Sequence, residues 1–201
     1  MNKRIADYYY IFDGRSGRSV AVERSSGKPA SVIPNKELDD EMKLARYLES
    51  EQSSHVLRAF ACWCARQTWQ EEAPSQRCYS LWNTARAVCT RRAPVSALRE
   101  VRAASDNEAV AASTIGLPRR SPEAAQLLAA RGCADPDVHT AVHDAMHMSL
   151  RWAECVAPSD PETAIRMMRT RHRNALLDAI NGDAPFTTKK HRERSDPDPG
   201  V

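Results

Sequence analysis

Residues 57–69, Leu-Arg-Ala-Phe-Ala-Cys-Trp-Cys-Ala-Arg-Gln-Thr-Trp, are the stretch that most constrains the fold. At about 100° per residue, apolar and small side chains fill one face of a helix, and others flank that face on both sides. Arg66 points the opposite way. The face itself holds Leu57, Phe60, Ala61, Cys64 and Thr68. A helix covered on most of its circumference needs neighbours on several sides, so the segment predicts the centre of a helical domain.

Helix start and stop signals recur from residue 35 onward and supply those neighbours. One helix is expected over residues 35–50 and the central one from Ser53 or Ser54 to near residue 72. Six more are expected to begin at Ser75, Pro94, Ser105, Ser121, Asp135 and Ser159. A capping box separates the helix at Ser105 from the short one before it. About eight helices joined by short loops predict a mainly α fold, an antiparallel helical bundle.

The two ends of the chain differ from the helical domain, which is assigned to residues 35–182. Residues 1–34 contain an aromatic and β-branched run at 8–12, turn residues at 13–17 and a second short strand at 20–22. This pattern predicts a short N-terminal β-hairpin, which is unstable alone and should pack on the helices or, alternatively, on a partner. Residues 183–201 are polar and basic, and a disordered tail is expected there.

Composition and charge exclude several classes of protein. A net charge of +3 over 201 residues is too small to argue for nucleic acid by itself. Asp7 precedes any apolar run, so no signal peptide is expected, and no uncharged stretch approaches the length of a membrane span. A cytoplasmic protein without membrane contact is therefore expected. The six cysteines are interpreted as reduced, buried thiols, with zinc disfavoured because no C-x-x-C pair is present.

A row of histidines gives the first candidate site. His139, His143 and His147 are spaced four apart, which places them within about 80° on one side of a helix. His143 and His147 form an H-D-x-x-H, one methylene from the H-E-x-x-H of zinc proteases, and are the candidate metal ligands. Zinc would need a third ligand from a distant element. A structural role, a partner-binding surface and a metal site all remain open for this row.

The last helix gives the second candidate site, because Arg166, Arg169 and Arg173 lie beside its apolar residues. Residues 165–194 hold eight Lys and Arg against three acidic residues, a local charge of +5. Such a region is able to bind nucleic-acid phosphates or an acidic protein face, or simply to face solvent. The chain has no interleaved aromatics there and no helix-turn-helix pattern, so the choice stays open.

Missing motifs argue against an enzyme. The sequence contains no G-x-x-x-x-G-K-[ST], no G-x-G-x-x-G and no G-x-S-x-G, and its carboxylates are scattered. Asp39, Asp40 and Glu41 suit the start of a helix, where negative charge is stabilising, without acid–base chemistry. No catalytic residue and no cofactor are therefore assigned.

The central segment resembles a family of mostly uncharacterised bacterial proteins that carry an L-R-x-F-A-C-x-C-x-R-x-x-W helix. A second, looser similarity, in small-residue helices with histidines at helical spacing, is to helical immunity proteins of bacterial toxin loci. The resemblance implies a non-catalytic protein-binding module that neutralises a toxin-like partner by occlusion. The alternative from another class is a basic, nucleic-acid-associated regulator that uses the last helix and the tail.

Overall fold

A computed structural model of the protein describes residues 7–16, 18–30, 44–45, 54–69, 73–113 and 121–180. Within them lie a two-stranded hairpin and six named helices, with Leu44 and Ala45 also helical. The elements are β1 (Tyr8–Asp13), β2 (Arg18–Glu23), α1 (Ser54–Gln67), α2 (Gln76–Cys89), α3 (Ser96–Ser113), α4 (Pro122–Cys133), α5 (Val138–Val156) and α6 (Pro161–Ile180). The predicted mainly helical fold with an N-terminal hairpin is confirmed, and the count of eight helices is too high.

The excess comes from residues 94–113, where two helices were predicted and one, α3, is present. Ser105 is buried in the middle of this helix instead of capping a new one. Arg102, Ala103 and Ala104, which precede it, are strong helix formers, so no residue there stops the first helix. Other expectations lie outside the described residues. These are most of the helix over 35–50 and the tail over 183–201.

Capping side chains explain where several helices begin. The side-chain oxygens of Ser75, Ser121 and Asp137 each accept a hydrogen bond from the backbone N–H three residues later, at 3.3, 3.2 and 2.8 Å. The starts predicted at Ser75 and Ser121 are thus confirmed. The start expected at Asp135 shifts to Val138, because Asp137 is the residue that caps.

The central helix α1 ends five residues earlier than expected. Thr68 and Trp69 bond through their N–H groups to the carbonyls of Ala65 and Arg66, at 3.1 and 3.2 Å, which tightens the chain into a turn after Gln67. The Thr68 hydroxyl also donates to the Ala65 carbonyl at 2.7 Å. This turn brings Trp69 back beside Arg66, a placement that matters below.

The core is built around α1, as the sequence predicts. Phe60, Ala61, Cys64 and Ala65 are fully buried, and α1 packs against α2, α4, α5 and α6. Cys62 lies near Cys89 of α2, whereas the end of α1 lies near the start of α2, so these two helices run antiparallel. Helix α3 packs on the outer side of α2.

Arg58 is the one cation of α1 that is buried, with 4% of its surface exposed. Its guanidinium donates to the backbone carbonyls of Cys133, at 3.1 Å, of Asp135, and of Pro136, at 2.9 Å. These carbonyls lie at and just after the C-terminus of α4, where a helix carries unpaired acceptors and partial negative charge. Arg58 therefore closes the end of α4 from a neighbouring helix.

Helices α4 and α5 meet at Gly132. A Cβ added there would lie 2.9 Å from the backbone nitrogen of Ala145 and 2.9 Å from Cβ of Asp144. Gly132 was expected to stop α4, yet the helix continues to Cys133. The residue is glycine because the backbone of α5 passes too close for any side chain.

The hairpin packs on α6 through polar contacts. The Asn174 side chain accepts from the Tyr10 N–H at 2.6 Å and donates to the Tyr10 carbonyl at 2.7 Å. Ser19 and Thr170 share a hydroxyl hydrogen bond of 2.6 Å, and Arg24 pairs with Asp178. Packing on the protein's own helices, one of the two expectations for the hairpin, is what the structure shows.

Among the described residues, no helix combines the length and the apolar character needed to cross a membrane.

Candidate interaction surface

The three predicted histidines lie on the outer face of α5. His139, His143 and His147 are all exposed, and the rings of His143 and His147 stack with centroids 6.2 Å apart. Nδ1 of His143 lies 3.1 Å from a carboxylate oxygen of Asp144. The row is therefore an exposed surface feature, as its helical position indicates, and its role stays a prediction.

A metal site at these histidines gains no support. Across the described ranges, no set of three or more His, Cys, Asp or Glu side chains is arranged to hold a metal ion. Protein zinc sites supply at least three ligands, and neither His143 nor His147 has such companions in that part of the chain.

The predicted basic row of α6 serves partly to hold the fold. Arg166 is exposed and pairs with Glu162 at 3.2 Å, and Arg169 is exposed. Arg173 is half-buried, with its guanidinium 5.5 Å from the centre of the Tyr10 ring, so it helps to seat the hairpin. Over Pro161–Ile180 four arginines face two acidic residues, a charge of only +2.

The structure does not merge the histidine and arginine rows into one site. Helix α5 contacts α6 through the face that holds Ser149, whose hydroxyl lies 3.0 Å from Nε2 of His172. Ser149 is two residues from His147 and therefore about 200° away around the helix. The histidine row thus lies on a different side of α5 from the α6 contact.

His172 lies on α6 between arginines but does not belong to its exposed basic face. The side chain is fully buried between Phe60 and Trp63, at centroid distances of 6.2 and 6.1 Å. Burial lowers its pKa to about 3, and the nearby charges of Arg169 and Arg171 act in the same direction. His172 is therefore a neutral core residue.

The cysteines are free thiols, and four of the six are buried. The sulfur atoms of Cys62 and Cys89 lie 4.0 Å apart, in contact but too far apart for a disulfide bond. Burial raises the pKa of the Cys64 thiol, and the Cys62 contact together with burial raises the pKa of Cys89. Thiols of this kind are weak nucleophiles, so they serve packing, as the sequence predicts.

A surface that sequence reasoning missed joins the end of α1 to the side of α2 that runs from its first turn to its last. It consists of Arg66, Trp69, Tyr79, Trp82 and Arg86 and is called here the Trp–Arg surface. The three rings form one cluster, with centroids 5.1 Å apart for Trp69 and Trp82, 6.2 Å for Tyr79 and Trp82, and 6.4 Å for Trp69 and Tyr79.

Both arginines of this surface lie against the rings. The Arg66 guanidinium carbon is 4.7 Å from the Trp69 ring centre and 5.6 Å from that of Trp82, and the Arg86 carbon is 5.2 Å from that of Trp82. Such cation–π contacts contribute about 0.5–1 kcal/mol each at exposed sites. Both side chains are exposed, and neither has an ion pair among the described residues.

The two indole N–H groups of this surface differ in their hydrogen bonding. Trp82 donates its Nε1–H to the Cys62 carbonyl at 2.9 Å, which anchors the ring to α1. Nε1 of Trp69 is buried and has no hydrogen-bond partner within the described parts of the chain. Tyr79 remains 44% exposed. The surface therefore presents guanidinium groups and a tyrosine ring on a rigid base.

The chain around this surface is rich in arginine. Residues 54–69 and 73–99 contain no Asp, Glu or Lys and seven arginines, at positions 58, 66, 77, 86, 91, 92 and 99. Glu71 and Glu72 lie between the two ranges, so residues 54–99 carry a net charge of +5. These arginines are spread over α1, α2, the loop after α2 and the start of α3; α1 and α2 each carry a net charge of +2, as α6 does.

The sequence pattern indicates only which residues of this surface share one side of the same helix. Arg66 and Trp69 are three apart, and Tyr79, Trp82 and Arg86 are spaced by three and four, so each set shares one side of its helix. Trp82 had been assigned to the core face of α2 with Leu81 and Ala85. The structure buries those two fully and leaves Trp82 half-buried at the edge.

No protein-family model, no curated protein and no solved structure matches this chain. The chemistry of the site therefore rests on the residues themselves. Exposed arginines ordered on aromatic rings are able to pair with carboxylates or phosphates and to bury apolar side chains. They supply no nucleophile and no general base.

Proposed function

We propose that the protein is a non-catalytic protein-binding module. It would act as immunity-type proteins do, by covering a partner's functional site with a rigid helical bundle. The observation that supports this most is the Trp–Arg surface. Trp, Tyr and Arg are the residues most enriched at the energetic centres of protein interfaces, and here they form one cluster in which Arg66, Tyr79 and Arg86 are exposed.

Rigidity supports the same proposal. The surface lies on two helices whose contact faces hold fully buried residues, among them Ala61, Cys64, Leu81 and Ala85. Groups that are already ordered lose less conformational entropy on binding, which raises the affinity obtained from a given contact area. A surface of this kind suits a partner that is covered without being chemically altered.

A nucleic-acid-associated regulator is the second candidate. The observation that favours it is the run of arginines without acids over the described parts of residues 54–99. This basic region would extend over α1, α2, the loop after α2 and the start of α3. The original hypothesis placed it on Arg166, Arg169, Arg173 and the tail over 183–201, which lies outside the described residues.

The test is capture of partners from the native lysate with tagged wild-type protein, with and without nuclease. A stoichiometric protein retained after nuclease and lost from the double variant Arg66→Glu and Arg86→Glu would support the proposal. The matched control is Arg15→Glu and Arg18→Glu, which makes the same charge change at the exposed turn of the hairpin. Binding should survive in that control.

Further variants locate the contact if the first result differs. Loss of the partner from His143→Gln and His147→Gln, with retention by the first variant, would keep the binding module but move its surface to α5. Material that disappears entirely with nuclease would overturn the proposal in favour of the nucleic-acid regulator.

A further inference from the structure

We infer that the Trp–Arg surface docks an acidic segment of a partner protein, one in which an apolar side chain lies between carboxylates. This inference rests on the proposed function and specifies the partner's chemistry. Three observations carry it: the position of the two guanidinium groups, the charge around them and the state of the ring faces.

The two guanidinium groups converge on a single ring. Both guanidinium carbons lie within 5.6 Å of the centre of Trp82, one reaching it from α1 and the other from α2. Two like charges held beside one ring repel each other, and a bound anion relieves that repulsion. Because a guanidinium matches a carboxylate through two parallel hydrogen bonds, Asp or Glu is a suitable counter-group.

The protein itself offers no competing carboxylate in the described parts of α1, α2 and the loop after α2. Residues 54–69 and 73–99 lack Asp and Glu altogether. By contrast, some arginines elsewhere have acidic partners, as exposed Arg166 has Glu162 and half-buried Arg131 has Asp106. Within those described parts no carboxylate neutralises Arg66 or Arg86, and under this inference a carboxylate of the partner would do so.

The packing of the aromatic rings favours a protein partner over a nucleic-acid partner. Sequence-tolerant binding of single strands requires aromatic faces on which bases stack. Here Arg66 lies against Trp69 and Trp82, Arg86 lies against Trp82, and the two indoles pack edge to face with an interplanar angle of 61°. The Trp82 N–H is also already bonded to Cys62. The aromatic group left exposed is Tyr79, which suits contact with an apolar side chain.

The test uses three defined probes and the indole N–H signals of the four tryptophans in a proton–nitrogen NMR spectrum. The probes are a peptide of alternating Glu and Leu, the same peptide with Gln for Glu, and an oligothymidylate of matched charge. The acidic peptide should shift the signals of Trp69 and Trp82. Trp63, packed on Phe60, and Trp152, which is buried, should stay in place.

The double variant Arg66→Gln and Arg86→Gln should bind the acidic peptide about tenfold more weakly, since each exposed ion pair contributes up to about 1 kcal/mol. Unchanged Trp63 and Trp152 signals in this variant would show that its fold is intact. The double variant Arg15→Gln and Arg18→Gln should bind as the wild type does. Affinity of the wild type should fall as salt is raised.

Other outcomes overturn the inference in distinguishable ways. If the oligothymidylate shifts Trp69 and Trp82 and the acidic peptide does not, the surface is a nucleic-acid site. If none of the three probes shifts them, while capture of a protein partner still depends on Arg66 and Arg86, the acidic segment is wrong and the binding module stands. If the Gln peptide binds equally well, charge is not the basis of recognition.

Discussion

Arg58 and Arg66 lie eight residues, a little over two turns, apart on α1, yet their environments are opposite. Arg58 is buried and donates to three backbone carbonyls at the end of α4, whereas Arg66 is exposed and lies over two indole rings. One cation is satisfied entirely from within the fold. The other is ordered by the fold but left without a charged partner in the described residues.

The comparison indicates that one helix carries two separate tasks, with Arg58 stabilising the fold and Arg66 available for recognition. Near Arg58, α1 meets the helix terminus whose carbonyls need donors, so the cation there serves folding. Near Arg66, α1 lies beside α2, and the Arg66 side chain is exposed to solvent. Substitutions at the two ends of α1 should therefore affect different measurements.

The largest effect is expected for Arg58→Met, which keeps the apolar stem and removes the charge. Loss of the donors leaves the carbonyls of Cys133, Asp135 and Pro136 without their partner, and each buried unpaired acceptor costs about 1–3 kcal/mol. We expect the free energy of unfolding in urea to fall by about 3–5 kcal/mol. Arg66→Met is the matched control; it loses two cation–π contacts and should change the free energy of unfolding by no more than about 2 kcal/mol. Equal losses in the two variants would contradict the comparison.

The second prediction concerns pH and compares buried His172 with exposed His143. The pKa of His172 is lowered from 6.5 to about 3 in the folded protein. The unfolded chain therefore binds more protons between these values, so the free energy of unfolding falls as pH decreases through that window. From pH 7 to pH 5 the loss attributable to His172 should be about 2 kcal/mol.

Urea unfolding at the two pH values checks this with His172→Gln, whose amide nitrogen is able to replace Nε2 beside Ser149. The variant should lose about 2 kcal/mol less than the wild type on acidification. His143→Gln, at an exposed histidine, is the matched control. An unchanged pH dependence in His172→Gln would mean that the buried ring is not responsible.

The smallest predicted effect is a difference between two glycines, Gly132 at the contact of α4 with α5 and Gly14 in the hairpin turn. Gly132→Ala places a methyl 2.9 Å from the backbone of α5, which has to move, while alanine improves helix propensity by up to about 1 kcal/mol. The net loss of stability should be about 1–2 kcal/mol. Gly14→Ala, with no atom within 4 Å of the added carbon, should be neutral within about 0.5 kcal/mol. A thermal shift of equal size in both would exclude the close approach of α4 and α5 as the cause.

Much of the fold could be predicted because its signals are local. Ser75 and Ser121 bond to N–H groups three residues away, so their sequence neighbourhood contains the whole cap. The same reliance on local signals split α3 into two predicted helices. Ser105 fits a capping box locally, but in the fold it is buried inside a single helix. Arg58 bonds to residues 75 to 78 positions away, which no helical period reveals.

The candidate site was harder to predict, because its parts come from two helices. Single-helix spacing identified the row of His139, His143 and His147, which is exposed but has no neighbouring element that completes a site among the described residues. The Trp–Arg surface depends on Arg66 reaching Trp82 across the α1–α2 contact. That distance depends on how α1 and α2 pack, with the Trp82 indole bonded to the Cys62 carbonyl, not on any pattern within one helix.

The Asn174 side chain has a further consequence for self-association. Its amide bonds to both the N–H and the carbonyl of Tyr10 on the outer side of β1, and so takes the place of a residue in a third strand. Free edges of sheets recruit strands from other chains and start aggregation. One asparagine on α6 thus occupies the outer edge of this hairpin at Tyr10 and leaves no free backbone group of that residue for another strand.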